Sequence, residues 1–319
     1  YVISFDDAAD LLALAEVEVS RNGNRESYFL PLGFVADHLA NSPSQQLALA
    51  RLRKKRMAGL LTDAFTLPEF SSAVVKHIRR QTSQAIDPAQ GGGELQFIAT
   101  LELPDASEKN LDDIELVSSI DTNGSVVIGE SLVLKPIRKL KMGVHPDIEI
   151  NEYLYNRGFA HVAPPLGEVR RTDPVGNYCT LMILQGYISN QGDAWQWTQN
   201  TLERALRDRL SSGTSAMDIQ YPATEELHSF AQMLGQRLAE MHELLASDTR
   251  SKRFGVADIS MADLTTLLDK ALTDWQAAME VIAQQGKQPH VADWFKSNSK
   301  LLQNSLKQLA QKIQGGIRM

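Results

Sequence analysis

A change of period constrains this chain more than any other feature. Up to about residue 190 the apolar residues fall in short runs and alternations. Beyond it they recur every three or four positions almost without interruption. Alternation is the signature of half-buried strands, and a spacing of three or four is that of amphipathic helices. Strands gathered first and helices gathered last predict an α+β fold rather than a string of strand–helix units.

In the first half, Leu11 to Val19 and Tyr28 to Val35 read as strands, with the hairpin signal Asn22-Gly23 between them. Arg51 to Arg56 holds five basic residues in six positions and reads as a solvated strand or loop face. Thr66 to Arg80 is expected to be helical, with Phe70, Val74, Val75 and Ile78 on one side. Residues 82–93 form a break containing Pro88 and the triplet Gly91-Gly92-Gly93. No helix start follows the triplet, so it is not a phosphate-binding fingerprint. Leu95, Phe97, Ala99, Leu101 and Leu103 alternate as a half-buried strand does, and a loop with Pro104, Asp105 and Ser107 follows. Val126–Ile128 and Leu132–Leu134 flank Gly129-Glu130-Ser131 as a hairpin. A helix is expected from Pro146, with Ile150 and Leu154 on its apolar side. Tyr178 to Ile188 is the most continuous buried-strand candidate. Helices are then expected at Trp195–Leu210, at Thr224–Ala246 with Thr224 as cap, along the stripe from Leu264 to Ile282, and at Val291–Ile313. The Trp and Met residues on these stripes are expected in the core.

A length of 319 residues suggests about two domains. Cys179 is the only cysteine, which excludes an intrachain disulfide and a four-thiolate zinc site and agrees with a reducing cytoplasm. A formal net charge of −7 argues against a general nucleic-acid binder. No apolar run approaches the roughly 20 residues of a membrane span, and no signal peptide opens the chain. Tyr1 and the tail Gly315-Gly316-Ile317-Arg318-Met319 both read as cuts.

The segment most informative about chemistry is Ser118 to Lys135. A small, polar, Gly-containing loop leads into a hairpin, and Lys135 ends the second strand. Kinase-type folds cover a nucleotide triphosphate in this way: loop N–H groups face the phosphates and a strand Lys pairs with the α and β phosphates. Such a Lys is normally held by a Glu on the next helix. Glu149 lies fourteen residues on, and Glu152 is held in reserve. The strand ending Leu184-Gln185-Gly186-Tyr187-Ile188 stands where such a fold has its hinge, whose backbone pairs with adenine. Asn190-Gln191-Gly192-Asp193-Ala194-Trp195 follows as a polar turn, and Asp193 is also a simple helix cap.

Four blocks, in order, resemble the bacterial maltokinase family, which forms maltose 1-phosphate and is often fused behind a trehalose synthase. They are Asn123–Gly129 with Leu132–Lys135, Gly143–Ile150, Leu184–Ile188 and Asn190–Trp195. Glu16–Val19 and Tyr28–Leu32 fit that family's N-terminal cap. The resemblance implies a protein kinase-like fold related to aminoglycoside phosphotransferases. It divides the chain into a cap at 1–90, a nucleotide-binding lobe at 91–188 and a helical C-lobe at 189–319, cut short. ATP and Mg²⁺ are the implied cofactors, maltose the substrate, and trehalose synthase a fused or separate partner, all in the cytoplasm without nucleic acid or membrane.

Position by position, the resemblance makes Ser118, Ser119, Thr122, Asn123, Gly124 and Ser125 the phosphate loop and Lys135 the phosphate Lys. Glu149 becomes its holder, and Gln185, Gly186, Tyr187 and Ile188 the hinge. Pro136, His145 and Gly186 stand where the family has other residues. The family's His-Gly-Asp-x-His-x-x-Gln and Ile-Asp-Phe-Glu-Gly-Glu-Pro motifs, which carry the catalytic base and the metal carboxylate, do not occur in these residues. Catalytic and metal residues are therefore expected beyond Met319, and this chain alone is expected not to turn over. Another aminoglycoside phosphotransferase-like kinase, or a non-catalytic pseudokinase module partnering a trehalose synthase, are the alternatives.

Overall fold

The computed structural model describes residues 12–21, 24–54, 56–101, 103, 111, 113–117, 124–212, 222–247, 253–285, 289–313 and 317–318. The chain divides into two compact units, Tyr1–His228 and Ser229–Met319. The Asn22-Gly23 turn and the loop of Pro104, Asp105 and Ser107 lie outside the described residues.

The first unit opens with strands β1 (Leu12–Arg21) and β2 (Asn24–Ala36), antiparallel from Leu12 opposite Gly33 to Arg21 opposite Asn24. Leu12, Leu14 and Phe29 are buried, whereas Val17 and Val19 near the hairpin tip are exposed. A single helical turn, α1 (Ser42–Gln46), is closed by reciprocal hydrogen bonds between Asn41 and Ser44. Strands β3 (Ala48–Lys54) and β4 (Met57–Asp63) complete a sheet ordered β1-β2-β4-β3. The basic run begins on β3, at the sheet edge, with Arg51 and Arg53 exposed. Charged residues are a usual guard on an unpaired edge.

Helix α2 (Pro68–Arg80) follows, close to its sequence expectation. Phe70, Val74, Val75 and Ile78 are all fully buried. The helix ends where Gln81 turns left-handed. Strands β5 (Ser83–Ala85) and β6 (Glu94–Ala99) flank the glycine triplet. Gly93 has φ +86°, and a Cβ there would stand 2.0 Å from the Thr172 carbonyl oxygen, so only glycine fits. The alternation at Leu101 and Leu103 does not extend the strand, which stops at Ala99.

Strands β7 (Ile114–Val117), β8 (Ser125–Ile128) and β9 (Leu132–Pro136) continue the chain, with β8 and β9 forming the expected hairpin. Gly129 and Glu130 both take positive φ in its turn. A two-residue strand, β10 (Lys139–Leu140), then pairs with β2 of the first sheet. Helix α3 (Pro146–Asn156), strand β11 (Pro165–Thr172) and strand β12 (Tyr178–Gly186) follow. The second sheet has seven strands in the order β5-β6-β11-β12-β9-β8-β7. One continuous core joins Leu14 and Phe29 of the first sheet, Phe70 and Val74 of α2, and Phe97, Leu134 and Leu181 of the second.

Helix α4 (Ala194–Ser212) follows in the first unit. Helix α5 (Pro222–Ala246) crosses the boundary between units. It starts two residues before Thr224, so Thr224 lies inside the helix rather than at its cap. The second unit continues with β13 (Ala257–Asp258), α6 (Met261–Gln285), α7 (Pro289–Ile313) and β14 (Ile317–Arg318), which pairs with β13. The expected helices form, but the expected burial on them is only partial: Leu264 is buried, and Phe230, Met241, Trp275 and Met279 are half-buried. Leu234 and Leu238 of α5 are 47% and 44% exposed, and Trp195, Trp197, Met233, Met261 and Trp294 are exposed as well. An apolar stripe gives a helix a face that seeks a partner without showing that one covers it.

Candidate functional site

A cleft of about 400 Å³ opens on one face of the second sheet. Its floor follows from strand register. Val127 of β8 stands opposite Val133 of β9, and Val133 stands opposite Gln185 of β12. All three line the cleft. Side chains of directly opposed residues point to the same face, so the three form one row. Lys135 is two residues along β9, opposite Ile183, and therefore points to the same face. It is half-buried and lines the cleft, and no ion pair engages its ammonium group among the described residues.

Pro136 ends β9 opposite Met182, as expected of a residue without an N–H. The ladder resumes at Ile137, whose N–H donates to the Leu181 carbonyl at 2.8 Å. Ile137 and Ile183 then pack with Ile148 of α3 as a small apolar cluster, which seats that helix beside the cleft. Ile148 and Leu154 are the buried residues of α3, and Ile150, expected on the apolar side, is 40% exposed. His145 takes over the capping of α3, since its Nδ1 accepts the Asp147 N–H at 3.3 Å. A ring nitrogen here does what an amide oxygen does in an Asn cap.

The carboxylates of α3 are dispersed around the helix. Asp147 lines the cleft, although no sequence signal singled it out. Glu149 is half-buried and is not part of the cleft lining. Glu152 accepts a hydrogen bond from Thr100 Oγ1 at 3.2 Å and is thereby tied to the end of β6.

At the end of β12 the backbone is heavily engaged. The Gly186 N–H donates to the Pro164 carbonyl at 2.9 Å, and the Tyr187 N–H donates to the Ser131 carbonyl at 2.8 Å. A Cβ on Gly186 would come within 3.0 Å of the Pro164 ring, which accounts for glycine there. Asn190 also lines the cleft, donating from Nδ2 to the Ile188 carbonyl at 3.1 Å. Asp193 caps α4, its Oδ1 accepting the Gln196 N–H at 2.7 Å.

The structure thus brings together Gly124, Ser125, Lys135, Gln185, Gly186, Tyr187 and Ile188 around one cleft. Ser118, Ser119, Thr122 and Asn123 lie outside the described residues. Among the described residues no group of three or more His, Cys, Asp or Glu side chains is placed to hold a metal ion. The donor set here does not fit Mg²⁺ by itself, and no chemical step is assigned to a metal. No described helix is long and apolar enough to cross a membrane.

These strands and helices define an α+β, protein kinase-like fold. Among solved structures the chain is similar to a glucosamine kinase in complex with glucosamine, ADP and inorganic phosphate, with a TM-score of 0.54 at 15% identity. The match covers 99% of this chain and 60% of that one, so the chain spans about three-fifths of the length of the kinase it resembles. Glucosamine kinase in crystal form A matches with a TM-score of 0.49 at 15% identity, over 96% of this chain and 59% of that one. No family model matches the sequence.

Proposed function

We propose that the cleft binds ATP and that the chain is the nucleotide-binding part of a sugar phosphotransferase of the maltokinase type. One observation carries this reading: Lys135 and the strand end Gln185–Ile188 line the same cleft. A phosphate-pairing cation and a base-pairing strand end are the two things a nucleotide triphosphate needs from such a fold. The ADP complex of the glucosamine kinase with a similar fold supports it.

In this reading Lys135 meets the α and β phosphates, and the loop Ser118–Ser125 offers its N–H groups to them. Glu149 holds Lys135, and Gln185–Ile188 takes the adenine. Mg²⁺ accompanies the nucleotide. The anomeric hydroxyl of maltose attacks the γ-phosphorus, the bond to the β-phosphate oxygen breaks, and maltose 1-phosphate and ADP form. The acceptor of the hydroxyl proton is not assigned to any residue of these 319. The division into a cap at 1–90, a nucleotide lobe at 91–188 and a C-lobe at 189–319, a trehalose synthase partner and a cytoplasmic site of action belong to the same proposal.

Calorimetric titration of ATP into the chain and into Lys135→Ala tests the reading. A loss of about tenfold or more in affinity is expected, since charge-assisted hydrogen bonds are worth about 1.5–3 kcal/mol. Equal affinity for both proteins overturns the Lys135 assignment. For the sugar, the full-length protein is assayed with maltose, glucosamine and glucose as acceptors. Phosphate transfer to maltose is expected, and transfer to glucosamine alone would replace it.

A further inference from the structure

Gln185 holds a polar group in an unusual place. It is the next-to-last residue of β12, between Val133 of β9 and Pro165 of β11, and is 9% exposed. Its side chain lines the cleft and makes no hydrogen bond among the described residues. Its carboxamide atoms keep solvent access through the open cleft, so a ligand entering there meets a donor and an acceptor that no described protein group engages. The surrounding backbone reinforces the point. The N–H groups of Gly186 and Tyr187 are already committed to Pro164 and Ser131, and the Ile188 carbonyl accepts from Asn190. The Tyr187 carbonyl and the Ile188 N–H make no hydrogen bond among the described residues and stay available to a base, and the nearest side chain able to add to them is Gln185.

We infer that Gln185 is a specificity-determining residue for this cleft, selecting adenine over guanine through its carboxamide. The inference rests on the nucleotide reading above and deepens it. A carboxamide presents one donor and one acceptor side by side. Adenine presents a matching pair on its N7 side, with N7 accepting and the N6 amino group donating. Gln185 Nε2 donates to N7, and Oε1 accepts from N6. Guanine offers O6 and N7, two acceptors, so its O6 would face Oε1 without a proton between them. Val127 and Val133, in the same row, give the base an apolar floor to lie on. Lys135 lies one strand over and two residues along, about 8 Å from Gln185 between Cα atoms by standard sheet spacings. That separation suits a base at one end of the cleft and phosphates at the other.

The test titrates ATP, GTP and 7-deaza-ATP, which lacks the N7 acceptor, into the 319-residue chain and into Gln185→Leu and Gln185→Met. The unaltered chain is expected to bind ATP about tenfold more tightly than either GTP or 7-deaza-ATP, the lower part of the range for a bidentate base contact. In both variants the three affinities are expected to converge, mainly through loss of ATP binding. Equal binding of ATP and 7-deaza-ATP by the unaltered chain overturns the inference without requiring a folded variant. A uniform loss for all three nucleotides in the variants also overturns it and leaves the nucleotide reading standing. Failure of the unaltered chain to bind any of them overturns both.

Discussion

Arg138 meets Asp63 at 2.5 Å and so joins the segment just past Lys135 to the N-terminal sheet. The connection is backed on three sides. The Phe29 N–H donates to the Arg138 carbonyl at 2.8 Å, β10 pairs with β2, and the Arg138 guanidinium stands 5.5 Å from the centre of the Phe65 ring. Both partners are largely buried, with side chains 21% and 12% exposed. Removing one partner leaves a charge in a poorly hydrated place. Arg138→Ala is therefore expected to cost on the order of 2 kcal/mol, between the values for exposed and fully buried pairs. Asp63→Ala is expected to cost more, because Asp63 Oδ1 also accepts the Phe65 N–H at 2.9 Å. Denaturant melts of the two single variants and the double variant check this, the double costing less than the sum.

Glu168 makes a second buried charge, on β11 of the seven-stranded sheet. It is 4% exposed, pairs with Arg170 and accepts from Thr180 Oγ1 at 2.9 Å. Arg170 in turn lies 4.2 Å from the centre of the Tyr178 ring. Arg170→Met strands the carboxylate and is expected to cost about 3 kcal/mol or more. Adding Glu168→Gln to it is expected to recover part of that loss, since the amide still accepts from Thr180 but carries no charge. Thermal melts of both variants measure the recovery. A double variant less stable than Arg170→Met would show that the carboxylate is not the source of the cost.

These two networks also show why part of the fold was illegible in the sequence. Strand β11 reads Pro-Leu-Gly-Glu-Val-Arg-Arg-Thr, with three charges in eight residues, and no strand was expected there. The charges are tolerated because Glu168 and Arg170 satisfy each other and Arg171 reaches Glu16 of β1 at 2.6 Å. Alternation in sequence reports burial only where burial is apolar. The β8–β9 hairpin, β12 and α2 were legible because their buried residues are Val, Ile, Leu and Phe. In the cleft, Lys135 could be singled out by residue type at the end of a strand, and Gln185–Ile188 only by its place at the end of a buried strand and by resemblance. Asp147 could not, because a search for a Glu on the following helix passes over an Asp in its first turn. The late helices were legible as helices, but Leu234 and Leu238 show that a stripe does not report its own coverage.

The turn joining β11 to β12 supplies a pH-dependent contribution. Asp173 accepts from the Asn177 side chain at 3.0 Å, from the Asn177 N–H at 2.8 Å and from the Val175 N–H at 2.9 Å. These bonds, the Asn177 side chain first, hold its carboxyl below the usual carboxylate range. A depressed folded-state value adds stability above the unfolded value, and that stability is lost as pH falls through the folded one. Asp173→Ala is thus expected to melt below the parent chain at pH 7, with the gap closing below about pH 4, where the unfolded carboxyl is protonated. Melting temperatures measured from pH 7 down to pH 3 test the sign. A gap that widens on acidification would exclude this role for the Asp173 carboxylate.

Cys179 reports on the opening of the seven-stranded sheet. It is fully buried in β12, opposite Arg171 on β11 and bridged to Met142 on its other side. Burial pushes its thiol above the usual range, the neighbouring Arg171 charge offsetting only part of the effect. The thiolate is the reactive form, so a buried and protonated thiol is inert twice over. In the folded chain iodoacetamide is expected to label Cys179 only as fast as the sheet opens. The rate should not rise through pH 8–9 as that of an exposed thiol does. It should instead rise with denaturant, and it should rise in Arg138→Ala if the link to the N-terminal sheet restrains that opening. Mass spectrometry of timed samples gives the rate directly. Prompt, complete labelling at pH 7 without denaturant would show that β12 is not the closed interior strand that its register with β9 and β11 describes.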